Sequence, residues 1–250
     1  MNQTLETLQN LRSIHGNFSE RDISEQDLRT IIEASLRAAN ASARQGYSVI
    51  VVEDRDTMKK LCGYAGSKGL VFCADLTRIA AIAKHLNHPF DADGVPQFIT
   101  SAVDAVLVAQ TAVIAAKSLG IDSLITNGIH RGDMERVFTL LNLPEKHCFP
   151  VIMVVFGYPT KEPDHRQERW NGAGVVHYGV YHPLTTAQAE EMVRKYDDPE
   201  AHLGLSDTWK PKRLAHYWDW FFTVWVGSFA KATGKSQMAQ ILERIGFLFP

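Results

Sequence analysis

Pro150-Val151-Ile152-Met153-Val154-Val155-Phe156, halted by Gly157-Tyr158-Pro159, is the stretch whose reading decides the fold class. A β-branched apolar run closed by Gly and Pro reads as a buried strand. Three weaker runs share that character: Ser48-Val49-Ile50-Val51-Val52, Leu70-Val71-Phe72-Cys73-Ala74 ending at Asp75, and Ser123-Leu124-Ile125-Thr126 before the turn Asn127-Gly128. Helical patterns lie between them. Leu5, Leu8 and Leu11 predict a short helix over residues 4–14. Ser24 and Asp27 form a capping-box-like start for a second, with Leu28, Ile31, Ile32, Leu36 and Ala39 on one face. A long helix is expected from Ser101, with Asp104 as a second capping partner and Gly120 as its stop.

That long helix is apolar on nearly every side, which places it at the centre of the molecule or in a subunit interface. Asp104 and Lys117 leave too few uncharged residues between them to cross a bilayer. Further helices are expected from about Gly132 and over residues 185–196, with a charged, Pro- and Gly-rich loop over 160–181. Tyr217, Trp218, Trp220, Phe221, Phe222 and Trp225 form an aromatic segment that must cover a core or a partner subunit. Helices and strands alternate irregularly. The class expected is α+β with a mixed central sheet.

The chain has 250 residues, 45% hydrophobic and 22% charged, with net charge −2, which suits a folded protein and not a general nucleic-acid binder. Its 3 cysteines, Cys62, Cys73 and Cys148, show no paired spacing and suggest a reducing cytoplasm. The first residues lack the basic start and apolar run of a signal peptide. There is no GxSxG elbow, phosphate loop, GxGxxG or HExxH, so hydrolase, P-loop, Rossmann and zinc readings lack support and no metal is expected. Asp54 with Asp56, and Asp91 with Asp93, read as solvated loop carboxylates. Two basic clusters remain: Arg12 and His15 flanking Ser13, and Arg166 with Arg169. Guanidinium forks beside a hydroxyl suit a phosphate, although each cluster alone reads as surface charge.

The order and spacing of several motifs resemble the FMN-dependent nitroreductases, nearest to the branch of the major oxygen-insensitive nitroreductase and flavin reductase P. They are Arg12-Ser13-Ile14-His15 followed by Phe18 and Ile23-Ser24, then Phe72-Cys73-Ala74-Asp75, the helix from Asp104 to Gly120, and Asn127-Gly128-Ile129. Phe156-Gly157-Tyr158-Pro159, Glu162-Pro163-Asp164, Arg166 and Arg169, Asp207-Thr208-Trp209 and Arg244-Ile245-Gly246-Phe247 complete the series. The resemblance spans essentially the whole chain.

It implies an α+β fold with a mixed, mainly antiparallel central sheet flanked by helices, in one FMN-binding domain over residues 1–250, with 200–250 a C-terminal extension packing on the core or the partner as the arm of an intertwined homodimer. It also implies NADPH or NADH as reductant, a small-molecule electron acceptor and no catalytic side chain, because the flavin carries the chemistry. Carried over residue by residue, Arg12 and Ser13 would hold the phosphate or ribityl oxygens, and Arg166 and Arg169 would complete the phosphate site. Gly128, beside Asn127, would bring a backbone N–H to flavin N5.

Three departures from the family pattern bear on the pocket. His15 stands where Arg or Lys is usual, near the edge that becomes anionic on reduction. Asn40, Ser42 and Gln45 replace a serine-rich run, with Arg44 available to supply charge. A shortened segment over 62–69 leaves Ser67 or Lys68 to take a lost glutamine's part. The reading is therefore an NAD(P)H-dependent reductase of nitroaromatics, quinones or flavins with ping-pong kinetics. The alternatives are a flavin store or sensor with little turnover, and a related flavoenzyme with disulfide or dehalogenation chemistry. For a 2′-phosphate, Arg194, Lys195, Lys210, Lys212 and Arg213 are candidates of equal standing.

Overall fold

The computed structural model describes residues 2–90, 94–226 and 235–248. It divides into two compact units, one of Met1–Glu162 with Lys235–Pro250 and one of Pro163–Gly234. The first is built on four strands, β1 (Tyr47–Val52), β2 (Lys68–Asp75), β3 (Asp122–Thr126) and β4 (Cys148–Gly157), in the order β1-β2-β4-β3. Every pairing of these strands is antiparallel. The expected mixed sheet is thus antiparallel among its named strands, and the parallel element is an isolated bridge, Ser13 to Ser123.

β2 is buried along its whole length, and β4 is nearly so. β4 begins two residues before the apolar run suggested, and the ladder slips between Phe72 and Cys73, opposite Ile152 and Pro150. Pro150 has no N–H to offer the ladder, so a slip at that point costs little.

Alternate residues face opposite sides of a strand, so the sheet carries two cores. Leu70, Phe72, Val154 and Phe156 pack with Ile31 of α2 (Glu25–Ser35) and with Ala105, Val108, Ala109 and Ala112 of a long helix. Val71, Cys73, Met153 and Val155 pack with Met58 and Leu61 of α3 (Arg55–Cys62) and with Val137. A third cluster joins Phe138, Phe149 and Leu76 to Ile241, Leu242 and Ile245 around the helix Gln237–Arg244, so this part of the C-terminal segment packs on the core.

Two helix boundaries correct the sequence reading. α1 is Gln3–Gln9 and ends at Asn10, leaving residues 11–15 outside it. Ile14 donates instead to the Ser123 carbonyl at 3.0 Å, and this edge contact with β3 outcompetes another helical turn. After α4 (Thr77–His85), α5 runs Val95–Ser118, starting six residues before Ser101 with a proline in its first turn. Asp104 therefore lies in its third turn and is not a cap.

α5 is long and apolar enough to span a membrane by composition, but its small-residue face packs on the sheet through Ala105, Ala109, Ala112 and Ala116. α6 is Met134–Leu141, capped by Asp133. Ser24 caps α2 as expected, accepting from the Asp27 N–H at 3.0 Å. Asp54 caps α3 through the Thr57 N–H at 2.7 Å, and Asp91 and Asp93 lie outside the described residues.

In the second unit the helix Thr186–Asp197 opens on a capping box formed by Thr185 and Gln188. Tyr196 stacks on Tyr217 at 5.4 Å, and the buried Trp220 lies 5.7 Å from Tyr217, while Phe222 stays 64% exposed. Part of the aromatic segment is thus an internal core of this unit, and part faces outward.

Candidate functional site

The segment joining α2 to β1 is the most constrained stretch of backbone in the first unit. Ser42, Ala43 and Gln45 all hold left-handed φ values, 53°, 54° and 51°, which non-glycine residues adopt at a cost. Asp104 holds both ends. Its carboxylate, 3% exposed, accepts from the Ala41 N–H at 2.9 Å through Oδ1 and from the Gly46 N–H at 3.3 Å through Oδ2. Gly46 is required for this approach, since a Cβ there would fall 2.7 Å from Ser101 Oγ. Asn40 closes the loop by accepting from the Gln45 N–H at 3.2 Å. Ser42 and Gln45 side chains stay exposed, while Arg44 turns to Gln97 of α5 at 2.6 Å and leaves its Nε buried without a partner. A buried N–H of that kind is the sort of group a bound ligand satisfies.

Arg12 is less open than the sequence suggests. Its guanidinium forks onto Asp122 at 3.1 and 2.6 Å and reaches Glu162 at 2.5 Å. The hydrogen bonds to Asp122 and Glu162 raise its pKa further. Asp122, 5% exposed, also takes the Lys117 ammonium at 2.8 Å. Burial alone would push its carboxyl up, but the hydrogen bonds from Arg12 and Lys117 outweigh burial and hold it below the usual carboxylate range. Glu162 is 73% exposed and is the displaceable partner, so an incoming anion would compete for Arg12 against Glu162 and not against Asp122.

Ser13 and His15 are exposed beyond the end of α1, and His15 meets the ring of Tyr64 edge-on at 6.3 Å. Gly128 is glycine because of its neighbour: a Cβ there would lie 2.2 Å from the Cys62 carbonyl oxygen. Its N–H donates to Thr126 Oγ1 at 2.9 Å, and Asn127 beside it is exposed. Ser67 is buried and already engaged, accepting from the Ile23 N–H at 2.7 Å and donating to Asp22 at 3.1 Å. Lys68 pairs with Glu53 at 2.5 Å. In the second unit Arg166 pairs with Glu168 at 3.0 Å, and Arg169 donates to the Gln167 and Glu168 carbonyls.

The nitroreductase family model matches residues 9–158, well over half of the chain. The chain belongs to the nitroreductase family. Among curated nitroreductase relatives, it is 33% identical over 209 residues to an FMN reductase [NAD(P)H] of Bacillus subtilis, covering 79% of this chain and 81% of that one. It is 31% identical over 226 residues to the oxygen-insensitive NADPH nitroreductase of Salmonella typhimurium, covering 84% and 88%. Among solved nitroreductase-like structures, NfrA2 of B. megaterium superposes with a TM-score of 0.82 at 28% identity, covering 100% of both chains. The NADPH:FMN oxidoreductase of Vibrio harveyi gives 0.76 at 25%, covering 98% of both.

The sequence reading missed two residues of this candidate site, Asp104 as the loop's clamp and Asp122 as the partner of Arg12. A carboxylate inside an apolar helix was the available signal for the first. For the second there was none local, because 110 residues separate the pair.

Proposed function

We propose that this chain is an FMN-dependent NAD(P)H oxidoreductase that reduces small acceptors such as nitroaromatics, quinones or flavins. The loop over residues 40–46 carries the reading, in a chain one-third identical to an FMN reductase [NAD(P)H] over four-fifths of its length. The residues fit a flavin: a rigid strained loop with outward polar side chains and an orphaned buried guanidinium N–H suits a planar, polar-edged ligand. Asn40, Ser42 and Gln45 would bind its polar edge, Ser13 and Arg12 its phosphate or ribityl oxygens, and Gly128 with Asn127 would supply the close backbone wall. Arg166 and Arg169 are proposed as phosphate-binding residues, and His15 as a polar neighbour of the ring system. Bound FMN supplies hydride and electron transfer between nicotinamide and acceptor. The protein's part is to hold the ring plane, exclude water and set the local charge. One pocket used in turn by reductant and acceptor gives ping-pong kinetics.

A homodimer in the cytoplasm is part of the proposal. α5 turns Val95, Ile99, Val103, Val106 and Leu107 outward at helical spacing, with Ile99 55% and Val103 52% exposed, and such a stripe calls for a second copy. The outward part of the aromatic segment near Phe222 is proposed to serve a contact with the partner subunit as well.

The first test is an absorption spectrum of the purified protein before and after anaerobic NADPH and then NADH. Flavin bands that bleach with a reduced nicotinamide are expected. Colourless protein that does not take up added FMN would overturn the reading.

A further inference from the structure

A cavity of about 400 Å³ opens at the end of α3, and nothing in the proposed flavin chemistry uses its charges. Lys59, Lys60, Arg131 and Arg136 line it together with Gly63, Tyr64 and Gly128, so it borders the backbone wall proposed above for the flavin, and no carboxylate is among its described lining residues. Two elements build it. The last turn of α3 supplies both lysines and closes through the Gly63 N–H on the Lys59 carbonyl at 2.9 Å, with Gly63 left-handed at φ 84°. Arg136 of α6 donates to the Lys60 carbonyl at 2.5 Å, which fixes its guanidinium over the same turn. Met58 and Leu61 of α3 and Val137 of α6 share one buried cluster, so the frame is rigid.

Lysines in a last helical turn complement the helix dipole, and that alone would account for Lys59 and Lys60. It does not account for two arginines from outside α3 converging on the same cavity. The like charges of Lys59, Lys60 and Arg136 around one concave space repel one another and raise the local concentration of anions. The volume falls in the range of small-ligand sites, larger than a bare oxyanion needs, and Tyr64 adds a ring to its wall.

We infer that this cavity binds a phosphate monoester dianion carried on a nucleoside or flavin, through Lys59, Lys60 and Arg136 with Arg131 at the rim. Resting on the function proposed above, that group is either the 2′-phosphate of NADPH or the 5′-phosphate of an FMN acceptor. In the first case the cavity, and not the basic residues of the segment 194–213, sets nucleotide preference.

Calorimetric titration of the FMN-loaded protein separates the sources, with 2′-AMP against adenosine in one arm and further FMN against riboflavin in the other. Replacing Lys59→Ala and Lys60→Ala together is expected to weaken one phosphorylated probe roughly tenfold or more. The phosphate-free partner should be unaffected, Lys59→Arg with Lys60→Arg should keep most of the affinity, and added salt should erode it. Loss confined to 2′-AMP assigns the reductant's phosphate, and loss confined to FMN assigns the acceptor's. Equal affinity in wild type, double alanine and Arg136→Ala proteins for both probes would overturn the site and return the cluster to solvated surface. Inorganic phosphate titrated into protein without flavin reads the same residues, so failure of the flavin reading stays distinguishable from failure of this one.

Discussion

Replacing Asp104→Ala should separate what α5 does for the fold from what it does for the ligand. The substitution removes the acceptor for two backbone donors, Ala41 N–H at 2.9 Å and Gly46 N–H at 3.3 Å. A buried donor left without an acceptor costs about 1–3 kcal/mol. Gly46 is buried and Ala41 only half-buried, so water can rescue the second more readily, and a total of about 3 kcal/mol follows for the pair. In a chain of this size that corresponds to a Tm lower by roughly 6–12 °C. The larger effect falls on the loop. Ser42, Ala43 and Gln45 hold left-handed conformations, each costing on the order of 1 kcal/mol or more. With its ends released, the loop relaxes and loses the geometry that would meet the flavin.

The assay is a thermal melt beside an FMN titration followed by flavin fluorescence, with Asp104→Asn as the milder variant because it keeps one acceptor. The FMN Kd should rise about tenfold or more for the alanine protein and by less for the asparagine protein. Ser42→Gly supplies an internal control. In the wild-type background it should stabilise by about 1 kcal/mol, since glycine accepts a positive φ freely. In the Asp104→Ala background that gain should shrink, because the released loop has no strain left to relieve. A lowered Tm with unchanged FMN affinity, or a Ser42→Gly gain equal in both backgrounds, would refute the argument that Asp104 holds a strained binding loop.

Gly128→Ala drives a Cβ to within 2.2 Å of the Cys62 carbonyl, so a chemical-denaturation curve should show a loss of about 2 kcal/mol or more, with the backbone after β3 displaced. Asp122→Asn strips the carboxylate from Arg12 and Lys117 and should cost about 2–4 kcal/mol by the same measurement. Because Asp122 titrates lower when folded than when unfolded, its contribution is full above the unfolded carboxylate range near 3.9 and is lost as the pH falls through the lower folded value. The asparagine protein should therefore show a shallower acid limb in stability against pH. His216 runs the other way: the hydrogen bond to Asp197 at 2.6 Å raises its pKa, so its stabilisation is full below the unfolded value near 6.5 and fades as the pH climbs through the raised one. An imidazole NMR titration should find that upward shift and lose it in Asp197→Asn. His15→Arg places a permanent charge beside the proposed flavin edge and should raise the bound flavin's midpoint potential by about 30 mV, read by anaerobic dye equilibration at pH 8; equal midpoints would remove His15 from the ring's surroundings.

The parts of this molecule that local chemistry dictates were legible. β1 to β4 stand where β-branched runs are bounded by Gly, Pro or Asp, and Ser24 caps α2 because a hydroxyl three residues ahead of an N–H has one good use. What local chemistry leaves open was misread. Leu5, Leu8 and Leu11 fit a helix that continues past Asn10, yet the backbone there finds β3 through Ser123, more than a hundred residues away. Asp104, three residues after Ser101, mimics a helix start, but its real donors at 41 and 46 arrive from the segment joining α2 to β1, 63 and 58 residues earlier in the chain.

Arg12 follows the same logic with larger consequence for function. A guanidinium beside a hydroxyl looks like a phosphate site, and the sequence carries no sign that Asp122 and Glu162 converge on it. An arginine so paired does not attract an anion by bare charge. It offers a pre-aimed fork, because Asp122 fixes the plane from the buried side while the exposed carboxylate of Glu162 can be exchanged. The affinity of such a site then depends on how readily Glu162 leaves. Glu162→Gln should therefore tighten FMN binding, whereas an Arg12 acting as an isolated surface cation would gain nothing from the change.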